Sequence, residues 1–428
     1  MIISKNPNKK TWKSLCERPV LEQENLGQLV DEVFELIKSK GDEALISFTK
    51  KFDKADLTNL EVTKEEINKA EKEVSFELKS AIQLAANNIE QFHKAQLPQK
   101  IEVETAKGVT CWQEARPIDR VGIYIPGGTA PLFSTVLMLA LPAKIAGCLE
   151  IVLCTPPDQN GNINPAILYA AQYAGVSAIY KVGGIQGIGA MAFGTETIPK
   201  VNKIFGPGNQ YVTAAKQRAS QLGVAIDMPA GPSELLVLAD ETSNPEFIVS
   251  DLLSQAEHGV DSQVMCLVKS ENLISEIEKE LTKQLAELPR KEIAKKAIEN
   301  SKIILLEEDQ LCIDFINEYA PEHLIIQVKN EDFYLNNISN AGSVFIGNYT
   351  PESAGDYASG TNHTLPTNGY AKSYSGVNVD AFIKKITFQK ITATGIQTIG
   401  PAIELMAEAE GLQAHKNAVT LRLNNLKK

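Results

Sequence analysis

Two series of short apolar, β-branched runs constrain this chain more than any other feature. The first comprises "RVGIYI", "IVLCT", "AIYKV" and "KIFG", between residues 120 and 206. The second comprises "ELLVLA", "VMCLV", "HLIIQV" and "GSVFIG", between residues 234 and 347. Helical patterns such as "STVLMLALPAKIAGC", "NPAILYAAQYAG" and "SEIEKELTKQLAEL" separate the runs. Strands that alternate with helices are joined by right-handed crossovers, which makes the sheets mainly parallel. The expected fold class is therefore α/β, with two Rossmann-like domains meeting near residue 230. Residues 20–100 read as helical, with apolar residues at spacings of three and four.

Composition narrows the partners. The formal net charge is -11 and 22% of residues are charged, without a basic patch. That excludes nucleic acid and an anionic membrane surface as expected partners. The six cysteines are scattered and form no CxxC pair, as befits reduced thiols in a cytoplasmic protein. Cys154 and Cys266 sit inside apolar runs and read as small buried hydrophobes. No signal-peptide core and no run of membrane-spanning length is seen.

Three strand ends run into glycine turns: "YIPGGTAP", "VGGIQGIGAMAFG" and "FGPGNQY". Glycine admits a ligand close to the backbone, and a following helix offers free N–H groups to phosphate. None of the turns is a GxGxxG fingerprint, and no acid lies clearly at the ribose-binding position about 20 residues on. Nucleotide binding and tight structural connection both remain open at this point. Residues 347–376 are small, polar and aperiodic, and carry little charge, which favours a functional loop over disorder. The tail from about residue 377 is too small to bury its own core and should pack on another domain or subunit.

The helix pattern ending in "LLSQAEHG" poses a chemical question. Asn244 and Pro245 supply its start, and Gly259 suits the position just past its end. Gln255 and His258, three apart, are neighbours off the apolar stripe of Val249, Leu252, Leu253 and Ala256. They are either a solvated helix end or part of a metal site. The chain has only five histidines. His93 lies on a charged helix and reads as exposed. His323 follows Glu322 in "YAPEHLIIQ", where an acid and an imidazole at a strand entrance can supply a general base. His363 lies in the polar loop beyond Asp356, and His415 follows Glu410 in "EGLQAHKN". Imidazole, carboxylate and amide oxygen are ligand types for a borderline ion such as Zn²⁺. No local HxxxH or HExxH pattern joins the candidates.

With these residues in view, the chain resembles the histidinol dehydrogenase family over nearly its whole length. The marks are "IYIPGGTAPLFSTVLMLALPAKIAG", "FGPGNQYVTAAK", "IDMPAGPSELLVLAD", "LLSQAEHG", "YAPEHL", "SAGDYASGTNHTLPT" and "EGLQAHKNAV", in the family's order. The resemblance implies an NAD- and zinc-dependent oxidation of L-histidinol to L-histidine through histidinal. It is the last step of histidine biosynthesis and reduces two NAD⁺ per substrate. By the same resemblance, Gln255, His258, Asp356 and His415 bind one zinc ion per subunit. Glu322 and His323 are the catalytic pair. Ser233, His323 and Glu410 contact substrate along with the metal ligands, and Tyr124, Gln186 and Asn209 contact NAD.

The family's organisation implies four parts. These are an N-terminal arm (1–20), a domain carrying metal and catalytic residues (21–119 with 233–376), an NAD domain (120–232) and a tail (377–428). It also implies an intertwined homodimer in which His415 completes the neighbouring subunit's site. Two other enzyme readings compete: a related dehydrogenase for another polar alcohol, and an NAD-independent metal hydrolase or lyase using Glu322 and His323. A non-catalytic binding protein is a third.

Overall fold

The computed structural model describes residues 1–19, 25–127, 130–229 and 231–427. Gly128 and Thr129 of the first glycine turn, and the junction expected near residue 230 at Ala230 itself, lie outside the described residues. The N-terminal arm carries a strand, β1 (Ile2–Lys5), and one helical turn, α1 (Trp12–Leu15). Four helices follow: α2 (Leu26–Lys40), α3 (Asp42–Phe52), α4 (Lys64–Glu73) and α5 (Phe76–Lys94). Thr63 and Ser75 start the last two, their hydroxyls accepting N–H bonds from Glu66 and Leu78. His93, expected to be exposed, is instead buried, with Nδ1 2.8 Å from the Ile89 carbonyl. It falls four residues after buried Ile89 and so extends the apolar stripe of Ile82, Ala86 and Ile89. Antiparallel strands β2 (Ile101–Ala106) and β3 (Val109–Pro117) come next.

The four strands of the first expected series, joined by an unexpected two-residue strand, form a parallel sheet. β4 (Arg120–Tyr124), β5 (Glu150–Thr155), β6 (Ala178–Lys181), β7 (Lys203–Phe205) and β8 (Ala225–Ile226) lie in the order β6-β5-β4-β7-β8. The crossovers are α6 (Phe133–Ala146), α7 (Pro165–Ala174), α8 (Gly184–Phe193) and α9 (Gln210–Gln221). In α6 every residue from Ser134 to Ala143 is buried, as suits a helix enclosed on all sides. Helices α2 to α5 pack on this sheet; the expected division of the chain groups them with residues 233–376. Val33, Phe34 and Ile37 of α2 join the core of α8 and α9, while Ile82, Ala86 and Ile89 of α5 join that of α6. Apolar stripes on those helices supply what the sheet's two faces need to be shielded from water.

The second series is a six-stranded parallel sheet in the order β1-β11-β10-β9-β12-β13. It contains β9 (Glu234–Ala239), β10 (Gln263–Val268), β11 (Lys302–Leu305), β12 (His323–Gln327) and β13 (Ser343–Ile346). The arm's β1 pairs with β11 at its edge. Both strands are only four residues long, too short for their periodicity to mark them in the sequence. The connecting helices are α10 (Pro245–Ala256), α11 (Glu271–Glu287), α12 (Lys291–Glu299), α13 (Asp309–Tyr319) and α14 (Glu331–Asn337). α10 starts as expected, with Asn244 capping the Glu246 N–H, but ends before Gly259. The Glu257 N–H bonds back to the Leu253 and Gln255 carbonyls and closes the helix without glycine.

The polar stretch 347–376 is not wholly a loop: Glu352–Tyr357 form α15 and Tyr370–Lys372 a short 3-10 turn. Buried Glu352 and Gly355 pin α15, so tertiary contacts overrode a composition that favours turns. The tail forms β14 (Ile383–Ile391), α16 (Ala393–Ala409) and α17 (Gln413–Asn425). β14 pairs antiparallel with β3, completing a three-stranded sheet. The two tail helices leave Leu405, Met406 and Leu421 more than 60% exposed. Among the described residues no helix is long and apolar enough to cross a membrane.

Candidate active site

A cavity of about 560 Å³ lies between the carboxyl ends of the five-stranded sheet and the amino ends of the six-stranded one. Its lining includes Ser233, Gln255, His258, Glu322, His323, Asp356 and His363. Residues far apart in the chain are thus gathered by three devices. β12 begins at His323, directly after Glu322; the last turn of α10 carries Gln255; and α15 ends near Asp356.

The main chain of Glu234 sits at the centre. Its N–H donates to Glu322 Oε2 at 2.9 Å. Its carbonyl lies 3.1 Å from His323 Nδ1 and 3.3 Å from Gln255 Nε2. The Glu234 side chain is buried and paired with Arg18, whose Nε and Nη2 each reach a carboxylate oxygen at 3.0 Å. Arg18 also donates to the Tyr319 carbonyl at 2.6 Å and lies 4.0 Å from the Tyr319 ring centroid. This locked pair fixes where Glu322 and His323 point.

The electrostatics separate the two catalytic candidates. Burial lowers His323 to about 4, against an ordinary 6.5, so the imidazole is neutral at working pH. Its Nε2 is 3.8 Å from Asp356 Oδ1 and has no hydrogen-bond partner. Burial, reinforced by nearby Glu234, Glu352 and Asp356, raises Glu322 well above the usual carboxylate range. When ionised it is therefore a stronger base than an exposed glutamate.

Glu352 was not foreseen. It is buried, its Oε1 lies 3.8 Å from His323 Nδ1, and its carboxyl is raised by burial and by Asp356. His323, Glu352 and Asp356 each offer a ligand atom, and these atoms lie within 4.8 Å of one another. Glu352 and Asp356 are four apart, which places both on one face of a helix. That spacing was legible, had the helix been expected. Glu234 has no such signal, because its partner Arg18 is 216 residues away.

Three buried atoms around this cluster lack a hydrogen-bond partner: Gln255 Oε1, His323 Nε2 and Glu352 Oε1. Buried polar atoms without partners are costly, and an amide oxygen, an imidazole nitrogen and carboxylates are the donor types of a borderline cation. The residues present fit a metal. His258 stands exposed at the cavity mouth, its main-chain N–H donating to the Gln255 carbonyl at 3.2 Å. His363 ties the loop to α6, with Nδ1 2.9 Å from the Asp356 carbonyl and Nε2 3.0 Å from Thr135 Oγ1. His415 and Glu410 are exposed on the tail and do not line this cavity.

A second cavity, of about 880 Å³, adjoins the first through Pro126 and Asn209, which line both. It lies over the carboxyl ends of β4 to β7, where the chain order reverses between β4 and β7. Such switch points are where open α/β sheets hold ligands. Tyr124 ends β4, and its hydroxyl accepts the Gly184 N–H at 2.8 Å, leaving its own proton to donate. Asn209 caps α9 with its side chain. Between them, Gly206 has φ +130°, and a Cβ there would stand 2.2 Å from the Tyr124 carbonyl oxygen, so only glycine fits. Gln186 is buried in the first turn of α8 beside Gly184 and lines neither cavity.

A family model described as histidinol dehydrogenase matches residues 16–423. The chain belongs to the histidinol dehydrogenase family. The histidinol dehydrogenase of Bacteroides thetaiotaomicron is 62% identical over 427 residues, covering 100% of both chains. That of Escherichia coli O157:H7 is 51% identical, covering 98% of this chain and 96% of its own length. The crystal structure of histidinol dehydrogenase from Elizabethkingia anophelis superposes with a TM-score of 0.98 at 61% identity, covering 100% of this chain and 99% of that one. Histidinol dehydrogenases are oxidoreductases of histidine biosynthesis acting on a small molecule, and this chain is one of that class.

Proposed function

We propose that this protein carries out the NAD- and zinc-dependent, four-electron oxidation of L-histidinol to L-histidine through histidinal, as a cytoplasmic homodimer. The reading rests on one observation above all: Ser233, Gln255, His258, Glu322, His323 and Asp356 converge on one cavity in a chain of this family. Gln255, His258 and Asp356 would hold the ion together with His415 of a second copy, whose Glu410 would reach the substrate. A bound dinucleotide would supply a hydride acceptor, and the ion would anchor the nitrogen-bearing substrate. Neutral His323 takes the hydroxyl proton as the alcohol is oxidised. The aldehyde must then be hydrated, because only the hydrate again has both a hydride and a hydroxyl proton to lose. Glu322 removes a proton from the water that adds, and His323 takes the proton of the second oxidation. Keeping the aldehyde enclosed between the two stages prevents its escape. Tyr124 and Asn209 would position the dinucleotide across the two cavities, while Gln186, which lines neither, would act through Gly184 beside it.

Absorbance of reduced nicotinamide with histidinol as substrate tests this directly. Two NADH per histidinol consumed are expected, with the signal lost on chelation and restored by Zn²⁺. Turnover without NAD⁺, or one NADH per substrate with histidinal accumulating, would overturn the reading.

A further inference from the structure

The larger cavity is ringed with carboxylates, and all but one are already committed. Glu66 pairs with Lys181 and accepts the Thr63 N–H. Glu73 pairs with Lys69 at 3.6 Å. Asp158, the acid that follows β5, spends Oδ1 on the N–H groups of Asn160 and Asn162 at 2.9 and 2.8 Å. The remaining acid is Asp53, at the C-terminal end of α3. Its Oδ2 is out of solvent without a hydrogen-bond partner, and no ion pair or side-chain hydrogen bond reaches the carboxylate among the described residues. Burial alone raises it to about 6, the mark of a carboxylate that its own protein leaves under-solvated.

We infer that Asp53 accepts the hydroxyls of the adenosine ribose of the bound dinucleotide and selects NAD⁺ over its 2′-phosphorylated form. The inference rests on the proposed use of NAD⁺ and adds to it a residue and a specificity. The two cavities set the direction. The nicotinamide must reach His323 in the smaller cavity, so the adenosine half falls in the larger one, with Asp53 and Tyr124. In parallel nucleotide-binding sheets the ribose acceptor usually comes from the strand after the first crossover. Asp158 stands nearest that place in the chain and is occupied by its own loop, so the acid is supplied instead by a helix preceding the sheet. A vicinal diol donates two hydrogen bonds to one carboxylate, and a soft rotation about χ2 presents either oxygen. A 2′-phosphate would bring negative charge against that same carboxylate.

The test measures binding of NAD⁺, NADP⁺ and 2′-deoxy-NAD⁺ to the full-length zinc-loaded protein, its Asp53→Ala variant and its Asp53→Asn variant. The parent should bind NAD⁺ about 10- to 100-fold more tightly than 2′-deoxy-NAD⁺. Asp53→Ala should lose affinity for NAD⁺ by a similar factor and stop distinguishing the two, with zinc content and melting temperature unchanged. Asp53→Asn should narrow the gap between NAD⁺ and NADP⁺. If the parent binds NAD⁺ but Asp53→Ala keeps its affinity and its preference for the 2′-hydroxyl, Asp53 is not the acceptor, and the proposed activity still stands. A parent that binds no NAD⁺ overturns both.

Discussion

His323 illustrates how environment, more than identity, assigns a role. Its ring is buried against the Glu234 carbonyl and Gln255 on one edge, with Asp356 facing the other. Desolvation outweighs the acidic neighbours and depresses its pKa to about 4. The sign follows: between about 6.5 and 4 the unfolded chain binds a proton that the folded one refuses. The contribution of His323 to stability is thus fully present above its unfolded value and lost as pH falls through that window. In the metal-free protein, NMR titration of this imidazole should show a midpoint near 4; a midpoint near 6.5 would contradict the buried, neutral assignment. Glu322 has the opposite perturbation, raised well above the usual range, which suits its proposed removal of a proton from water. Glu322→Gln should slow oxidation of added histidinal by about 10²- to 10⁴-fold while slowing the alcohol stage less. Single-turnover rates for each stage would show this, and equal losses would abolish the division of labour between the two residues.

At the scale of elements, the site depends on how β9 and β12 meet. The two strands are parallel neighbours, pairing His323 with Leu235, so the main chain of Glu234 comes beside Glu322 and His323. Arg18 of the arm holds the Glu234 carboxylate in a setting with almost no solvent. Arg18→Met leaves that charge buried and unpaired, and should cost about 3–5 kcal/mol of unfolding free energy. Urea denaturation would read it, together with a fall in kcat larger than any change in KM, since Glu322 and His323 lose their alignment. The eight expected strands were legible because apolar runs bounded by turns leave few alternatives. Strands β1 and β11 were not, being short and paired with each other only across most of the chain. α15 was hidden by its glycine and polar residues; it holds its shape through buried Glu352, whose four-residue spacing from Asp356 has meaning only once a helix is expected there.

For the whole molecule, the two sheets share one strand order once the arm's β1 is set aside, but serve different ends. In the five-stranded sheet the crevice at the switch point between β4 and β7 stays open to the larger cavity. The corresponding crevice of the six-stranded sheet, between β9 and β12, is closed by Asp240. That side chain accepts the Lys329 and Thr242 N–H groups at 2.8 and 2.9 Å, while Ser243 binds the Gln327 carbonyl. The proposed site lies at the opposite, amino end of this sheet, facing the open crevice of the other. The tail leaves His415 exposed, away from that meeting place. If a second copy's tail completes each site, mixing inactive His415→Ala with inactive His323→Ala should restore about one quarter of parental activity once subunits exchange, because half of the dimers are mixed and each has one intact site of two. No recovery after verified exchange would exclude a shared site.

By itself the sequence determined the alternation of strands and helices, the carboxyl-end turns and which side chains are candidates for chemistry. These follow from local periodicity and residue chemistry, which act over a few positions. Only the tertiary structure decided that α2 to α5 cover the first sheet, that Glu352 joins His323 and Asp356, and that Asp53 stands free over a cavity. Each of those depends on partners brought from distant parts of the chain, where burial and an unmet hydrogen bond exist only after the layers have packed.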